Sequence, residues 1–162
     1  MAGTDVTRML DEAGTSYDLL PHTHTERAAD EAQALGLSPD EVGKTLVLTL
    51  PDGHVRAVIP ASERIDLRKA REILGVGKKK IHLASENDLA RDYPEFDLGA
   101  VPPFGGASRD PVLVDRRVVE RDSVVLEAGS HDESIRLSTD DLVRLTGAQV
   151  VDICSEEEVR GK

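Results

Sequence analysis

Apolar positions recur at helical spacing near the start of the chain. Val6, Met9, Leu10 and Ala13 share one face, which predicts a helix over residues 5–13, with Thr4 as its cap and Gly14 after its end. Tyr17–Leu20 reads as a short strand. A second helix is predicted from Glu26 to Leu35, between Thr25 as cap and Gly36 as stop. Ser38-Pro39-Asp40-Glu41 has the pattern of a capping box with proline at the first helical position, so it should open a single turn that delivers Lys44 to the next strand. Thr45–Leu50 and Val55–Ile59 flank Pro51-Asp52-Gly53, a strong hairpin signal. Further on, Leu67–Leu74 is helical behind Asp66 and before Gly75. Ile81–Leu83 is a short strand, and Ser85 with Asp88 starts a brief helix.

The last third of the chain is richer in strands. Val112–Val114, Val124–Leu126 and Ile135–Leu137 are apolar strand candidates, Ser138 caps a helix to Thr146, and Val150–Ile153 closes the set. Helices and strands do not alternate as in a doubly wound sheet, so the predicted class is α+β, with a mixed, curved central sheet flanked by helices. No internal repeat, low-complexity tract or long linker interrupts the pattern, and residues 1–162 are read as one domain.

Composition narrows the picture. With two Phe, two Tyr and no Trp, the core must be mainly aliphatic. No apolar run approaches the roughly 18 residues of a membrane span, and the start lacks the basic end and apolar stretch of a signal peptide. The single cysteine, Cys154, excludes an internal disulfide framework and fits a reducing cytoplasm. The net charge of −11 argues against a nucleic-acid partner until its distribution is considered. Residues 1–41 are strongly acidic, and Glu156-Glu157-Glu158 closes the chain in the same sense. Between them Arg64, Arg68, Lys69, Arg71 and Lys78-Lys79-Lys80 form a basic island. Such an island is either a solvated face or a small phosphate-contacting patch suited to brief contact with one end of an RNA.

Two loops carry candidate chemistry. Gly43-Lys44-Thr45 invites a phosphate-loop reading, but position 38, where that motif needs glycine, is serine, and a strand rather than a helix follows. Gly75-Val76-Gly77 likewise lacks the third glycine of a dinucleotide fingerprint. What remains is a lysine at the mouth of an apolar strand, able to act as a point charge on a phosphate or a developing oxyanion. The second loop, Gly99-Ala100-Val101-Pro102-Pro103-Phe104-Gly105, sets two prolines between glycines and can hold backbone amides and carbonyls in fixed positions. His131, in Ala128-Gly129-Ser130-His131-Asp132 after a predicted strand, is a candidate ligand contact or base. His22-Thr23-His24 has metal-like spacing without further recognisable ligands, so no metal is expected. Cys154 lacks an obvious activating partner, and no Ser/His/Asp arrangement is legible. The residues alone therefore stop at an anion or ester site.

The ordered set of segments resembles the YbaK/prolyl-tRNA-synthetase-associated editing-domain family over roughly residues 17–154. Lys44-Thr45-Leu46-Val47-Leu48 is similar to its lysine strand, Ile65-Asp66-Leu67-Arg68-Lys69 to a helix start, and Gly99–Gly105 to its Gly/Pro loop. Pro111–Asp115, Ala128-Gly129-Ser130 and Leu137–Leu142 are similar to its C-terminal half. The resemblance implies a trans-editing deacylase that hydrolyses the ester of mischarged tRNA, with tRNA for proline carrying Cys, Ala or a similar small amino acid as the expected substrate. A noncatalytic binding module of the same fold is the alternative. It further implies Lys44 as the essential residue, and Thr45, Gly99, Ala100, Val101, Pro102, Pro103, Gly129, Ser130 and His131 around the aminoacyl end. Neither a cofactor nor a dedicated protein nucleophile is implied, because the substrate's own groups assist the attack. Arg68, Lys69, Arg71, Lys78, Lys79 and Lys80 are then the expected tRNA-docking face, with a synthetase as a possible partner and neither membrane nor DNA expected. Ala100 replaces a loop glycine of several relatives. Ser134, with Asp132 and Glu133 beside it, stands where cysteine-editing relatives carry an acid. The amino acid removed is therefore left open.

Overall fold

The computed structural model describes residues 2–25, 27–105 and 110–156. Five strands form a mixed sheet in the order β4-β2-β3-β5-β8: β2 (Gly43–Leu50), β3 (Gly53–Pro60), β4 (His82–Leu83), β5 (Val112–Asp115) and β8 (Gln149–Val151). The hairpin β2–β3 is antiparallel in register from Gly43↔Pro60 to Leu50↔Gly53, β4 adds antiparallel to β2, and β5 and β8 follow in parallel. A second, antiparallel sheet of three strands has the order β1-β7-β6: β1 (Asp18–Pro21), β7 (Glu133–Ser138) and β6 (Ser123–Ser130). The second sheet's β6 and β7 lie within the crossover that joins β5 to β8. Among the described residues the helices are α1 (Ala2–Glu12), α2 (Ala28–Leu35), α3 (Leu67–Leu74), α4 (Glu86–Asp92), α5 (Arg116–Val119) and α6 (Thr139–Thr146). The α+β class with a mixed sheet is as expected; the split into two sheets and the short α5 were not.

Strand alternation sorts the core. On β3, Val55, Ala57 and Ile59 face one side of the large sheet, where they pack with Ala70 of α3, Ile81 and Ile153. Val58 points the other way, into a second cluster with Val124 and Leu126 of β6, Val6 and Leu10 of α1, Tyr93 and Phe104. That second cluster fills the space between the sheets. Burying Val6 and Leu10 completely stabilises the contact by about 1.5–3 kcal/mol each, which seats this amphipathic helix on the core.

The sheets touch at the start of β2. Val42 forms a parallel bridge to Val125, and Gly43 lies against β6. A Cβ at Gly43 would stand 2.9 Å from Leu126 Cδ2, 3.1 Å from Val124 Cγ2 and 3.2 Å from Val58 Cγ1, so any larger residue would have to push these core side chains aside. The single helical turn Pro39–Glu41 sets it up. Ser38 and Glu41 form the expected capping box, and Ala61 N–H closes on the Val42 carbonyl at 2.7 Å.

Two helix starts differ from expectation. Helix α1 begins at Ala2, so Thr4 lies within it rather than capping it. Helix α2 begins at Ala28, its N-cap position is Arg27 without a side-chain cap bond, and Glu26 lies outside the described residues. Thr25 is not the cap: its backbone N–H donates to the His131 carbonyl (2.9 Å), and its buried Oγ1 has no hydrogen-bond partner among the described residues.

Candidate active site

A cavity of about 390 Å³ opens where the two sheets meet. Its walls are the start of α2 (Arg27–Ala29), the start of β2 (Gly43–Leu46) with Ala61, and the loop residues Gly99 and Val101; Glu127 of β6 also lines it. This size suits a small group with a few convergent polar contacts. Lys44 and Gly99, which the sequence set in separate loops, border the same space.

The edge of β2 adds a backbone feature. The Val42 carbonyl accepts from Ala61 N–H, so even-numbered positions of β2 bond toward β3. The Val47 carbonyl accepts from Ala84 N–H (2.9 Å), so odd positions face the other edge. Strand β4 covers that edge only at Leu48 and Thr49. The amide and carbonyl of Thr45 therefore leave the strand on its open edge, where Lys44–Leu46 line the cavity.

The loop wall is fastened from behind by a residue the sequence reading passed over. Arg56 on β3, only 2% exposed, shares its face with Val58. Its guanidinium donates to the carbonyls of Pro102 (2.8 Å) and Gly105 (3.1 Å) and to Asp110 Oδ2 (2.9 Å), and it lies 5.0 Å from the Tyr93 ring centre. Tyr93 donates to the same Asp110 oxygen at 2.5 Å, and burial, with that bond, raises its phenol above the usual range. The charge is buried because its donors are matched to acceptors, which is the condition for tolerating it there.

His131 is buried. Strand β6 runs through Ala128, Gly129 and Ser130, so the turn begins later than the sequence implies. The ring Nε2 lies 2.6 Å from the Leu98 carbonyl and so must donate to it, while Nδ1 lies 3.1 Å from Glu127 Oε2. The ring packs edge-on to His24 with centroids 5.3 Å apart. A Cβ at Gly99 would lie 3.7 Å from His131 Cε1. His131 thus props the Gly99 loop through Leu98, with both nitrogens engaged. Of the other expected residues, Thr45, Gly99 and Val101 line the cavity, whereas Ala100, Pro102 and Pro103 are buried behind it. The Gly129 carbonyl accepts from Asp97 N–H at 2.8 Å, and Ser130 Oγ donates to Asp132 at 2.8 Å.

The helix wall has a different fastening. Glu31, fully buried on α2, is hydrogen-bonded to Ser134 Oγ, and His22 Nε2 lies 2.9 Å from that same oxygen. Burial pushes the Glu31 carboxyl up to about 7, against the opposing effect of the serine bond. Sequence reading missed both buried charges, yet each carried a signal. Glu31 falls on the stripe of Ala28, Ala32 and Leu35, and Arg56 falls in an apolar strand on a core-facing position.

The basic island lies elsewhere. β4 pairs His82 with Thr49, three residues beyond Leu46, the last β2 residue of the cavity, so this pair stands ~10 Å from it at ~3.3 Å per residue, and Lys78–Lys80 precede β4 without lining the cavity. These three lysines are exposed, as is Arg68. Lys69 is bound up with Asp152 (3.3 Å), the Cys154 carbonyl (2.8 Å) and Glu156 (3.3 Å). Cys154 is buried, and burial pushes its thiol up to about 12, far from a thiolate nucleophile. Among the described residues no helix is long and apolar enough to cross a membrane, and no cluster of His, Cys, Asp and Glu has metal-site geometry.

Comparison with known proteins agrees with the expected family. The sequence model of the aminoacyl-tRNA editing domain matches residues 22–145. EbsC of Enterococcus faecalis (strain ATCC 700802 / V583), a candidate Cys-tRNA(Pro)/Cys-tRNA(Cys) deacylase, is 25% identical over 158 residues, 95% of this chain and 94% of that protein. The multifunctional Ser/Thr-tRNA deacylase ProXp-y of Escherichia coli (strain K12) is 23% identical over 88% of this chain and 87% of its own. The crystal structure of a candidate trans-editing enzyme for prolyl-tRNA synthetase superposes with a TM-score of 0.83 at 26% identity, covering 95% of this chain and 97% of that one.

Proposed function

The chain belongs to the aminoacyl-tRNA editing domain family, and from that premise we propose that it is a trans-editing deacylase acting on mischarged tRNA. Its substrate class is tRNA(Pro) bearing Cys, Ala, Ser or another small residue. The observation that carries this reading is the convergence of Lys44, the open backbone edge at Thr45 and the Gly99 loop on one small cavity. The relatives named as deacylases of Cys-, Ser- and Thr-tRNA support it.

The reaction adds water to the ester carbonyl, breaks the bond to the terminal ribose, and returns a proton to the ribose oxygen. An aminoacyl ester is already activated, so position and electrostatics suffice. Lys44 supplies a positive charge for the developing oxyanion or the terminal phosphate. The edge groups of Thr45 and the backbone of Gly99 orient the aminoacyl end, with Val101 beside it. His131 and Arg56 keep that backbone in place. A second sieve has a clear physical use, since one methylene discriminates by only ~1–3 kcal/mol in a synthetase pocket.

Arg68, Arg71 and Lys78–Lys80 serve as the docking face for the tRNA body, because none of them lines the cavity that takes the reacting ester. The setting is the cytoplasm, alongside a prolyl-tRNA synthetase. The test is amino-acid release from tRNA(Pro) charged in turn with Ala, Cys, Ser and Thr. Turnover of at least one is expected, with Lys44→Ala slower by about 10²-fold, the usual cost of one transition-state contact. Binding without turnover across the panel identifies a noncatalytic module instead.

A further inference from the structure

The cavity's helix wall rests on a group of side chains that the deacylase reading does not use. Glu31 of α2, Ser134 of β7 and His22 after β1 are linked in series, and His22 Nδ1 lies 2.6 Å from the Thr23 carbonyl. These three links need three donated protons. The serine hydroxyl supplies one and a neutral imidazole supplies one. The third must come from Glu31 as the acid, or from a second ring N–H of His22. With Glu31 protonated, the acid donates to Ser134, the hydroxyl to His22 Nε2, and Nδ1–H to Thr23. With Glu31 ionised and His22 doubly protonated, the serine donates to the carboxylate instead, and Nε2–H to the serine. Both states hold the same total of protons, and one proton passes between the carboxyl and the imidazole through the serine. When that proton is lost, one link is left without a donor.

The surroundings favour the acid form. Glu31 Oε1 is buried with no hydrogen-bond partner among the described residues, and an unpaired anionic oxygen there is far costlier than an unpaired carbonyl oxygen. The series also abuts the cavity. Ser134 pairs directly with Glu127 of β6, which lines it, and Arg27 and Ala28, one turn before Glu31 on α2, form its wall.

We propose that Glu31, Ser134 and His22 form a one-proton latch that seats α2 on the small sheet, which makes Glu31 a positioning residue for the cavity wall at Arg27–Ala29. The protonated latch holds the wall; loss of the proton slackens it. Other charged groups on the elements packed there are Asp18 of β1, Glu133 and Arg136 of β7, Glu127 of β6, and His24, His131 and Asp132 in the neighbouring turns. Arg27 and Asp30 of α2 pair with each other at 3.1 Å, and Asp40 and Glu41 lie in the turn below. None of these replaces the missing donor, because only Glu31, Ser134 and His22 share the links.

The identity of the cavity's occupant rests on the deacylase reading, but the latch is tested without substrate. Thermal unfolding of the full chain is followed between about pH 5 and pH 8.5 for the wild type and for Glu31→Gln, whose amide donates permanently to Ser134. Glu31 has its pKa raised on folding, from an ordinary 4.5 to about 7. Stability from this group is therefore full at low pH and lost as pH rises through that window. The wild-type Tm should fall relative to the variant up to about pH 7 and then level off. A constant difference overturns the latch. In wild-type NMR titrations, the Glu31 carboxyl and the amides of Ala28 and Ala29 should move with one shared midpoint, and Glu31→Gln should abolish the amide movement. Independent midpoints, or alanine amides that stay still, overturn it even if the variant fails to fold. Should the latch pass while no charged tRNA is hydrolysed, the failure belongs to the deacylase reading alone.

Discussion

The two walls of the cavity are built on opposite principles. The loop wall, Gly99–Gly105, is tied to β3 by Arg56, whose charge does not change at any working pH. Its acceptors are two backbone carbonyls and Asp110, so the ties run directly to the loop's own backbone and to its far side. The helix wall, at Arg27–Ala29, is tied through a carboxyl near its midpoint of titration and by small aliphatic contacts: Ala28, Ala32 and Leu35 pack on Val125 and Leu20. One wall is fixed by chemistry that stays constant; the other is held by chemistry that can let go. A site that must orient a reacting ester yet admit and release a bulky RNA end has use for both.

The largest expected effect comes from cutting the loop's tie. Arg56→Met keeps much of the volume but leaves Asp110 and two carbonyls without their donor. Breaking one partner of a buried pair costs about 3–5 kcal/mol, a drop in Tm on the order of 10 °C for a chain of this size. A loss below about 1 kcal/mol would mean that the loop is held by its prolines and by Phe104 packing alone. Next comes the pH arm of the comparison. A carboxyl displaced from 4.5 to about 7 changes stability by about 3 kcal/mol across that window. Stability is highest below the unfolded value and lost as pH rises through the folded one. Arg56→Met should shift the whole stability curve without altering this slope, and Glu31→Gln should alter the slope. If both variants change the slope, the walls are not independent and the contrast fails.

The legibility of these walls in the sequence differed in the same way. Local devices were readable: the capping box at Ser38, the hairpin at Pro51-Asp52-Gly53, the Asp66 cap and the Ser138 cap all stand where residue chemistry put them. The pairing of Lys44 with the Gly99 loop came from family resemblance, and the cavity brings the two together. What stayed hidden depended on contacts distant in sequence. Arg56 meets Asp110 across 54 positions, and Glu31 meets Ser134 across 103. No local periodicity encodes a partner that far away. Each residue instead showed as a charge on a face meant for the core, a signal that says a partner exists without saying which. The burial of His131 was hidden for the converse reason: its neighbours Ser130 and Asp132 are polar, but the fold buries the ring beside the Leu98 carbonyl.

The smallest expected effect tests how stiff the loop wall is. Gly99 holds φ at +83°, a left-handed conformation that costs an ordinary residue about 1–2 kcal/mol. An added methyl would meet His131 Cε1 at 3.7 Å and Nε2 at 3.8 Å, which is normal contact, so no clash adds to the backbone term. It would also point toward the buried imidazole that props the loop. Gly99→Ala should therefore lower stability by about 1 kcal/mol. Because Arg56 keeps Pro102 and Gly105 in place, the strain has nowhere to relax along the loop, and KM for a charged tRNA should change by less than about threefold. The opposite pattern would be informative. If Gly99→Ala leaves Tm untouched while KM rises about tenfold or more, the loop has yielded into the cavity instead of storing the strain. The wall assigned here as rigid would then be the one that moves.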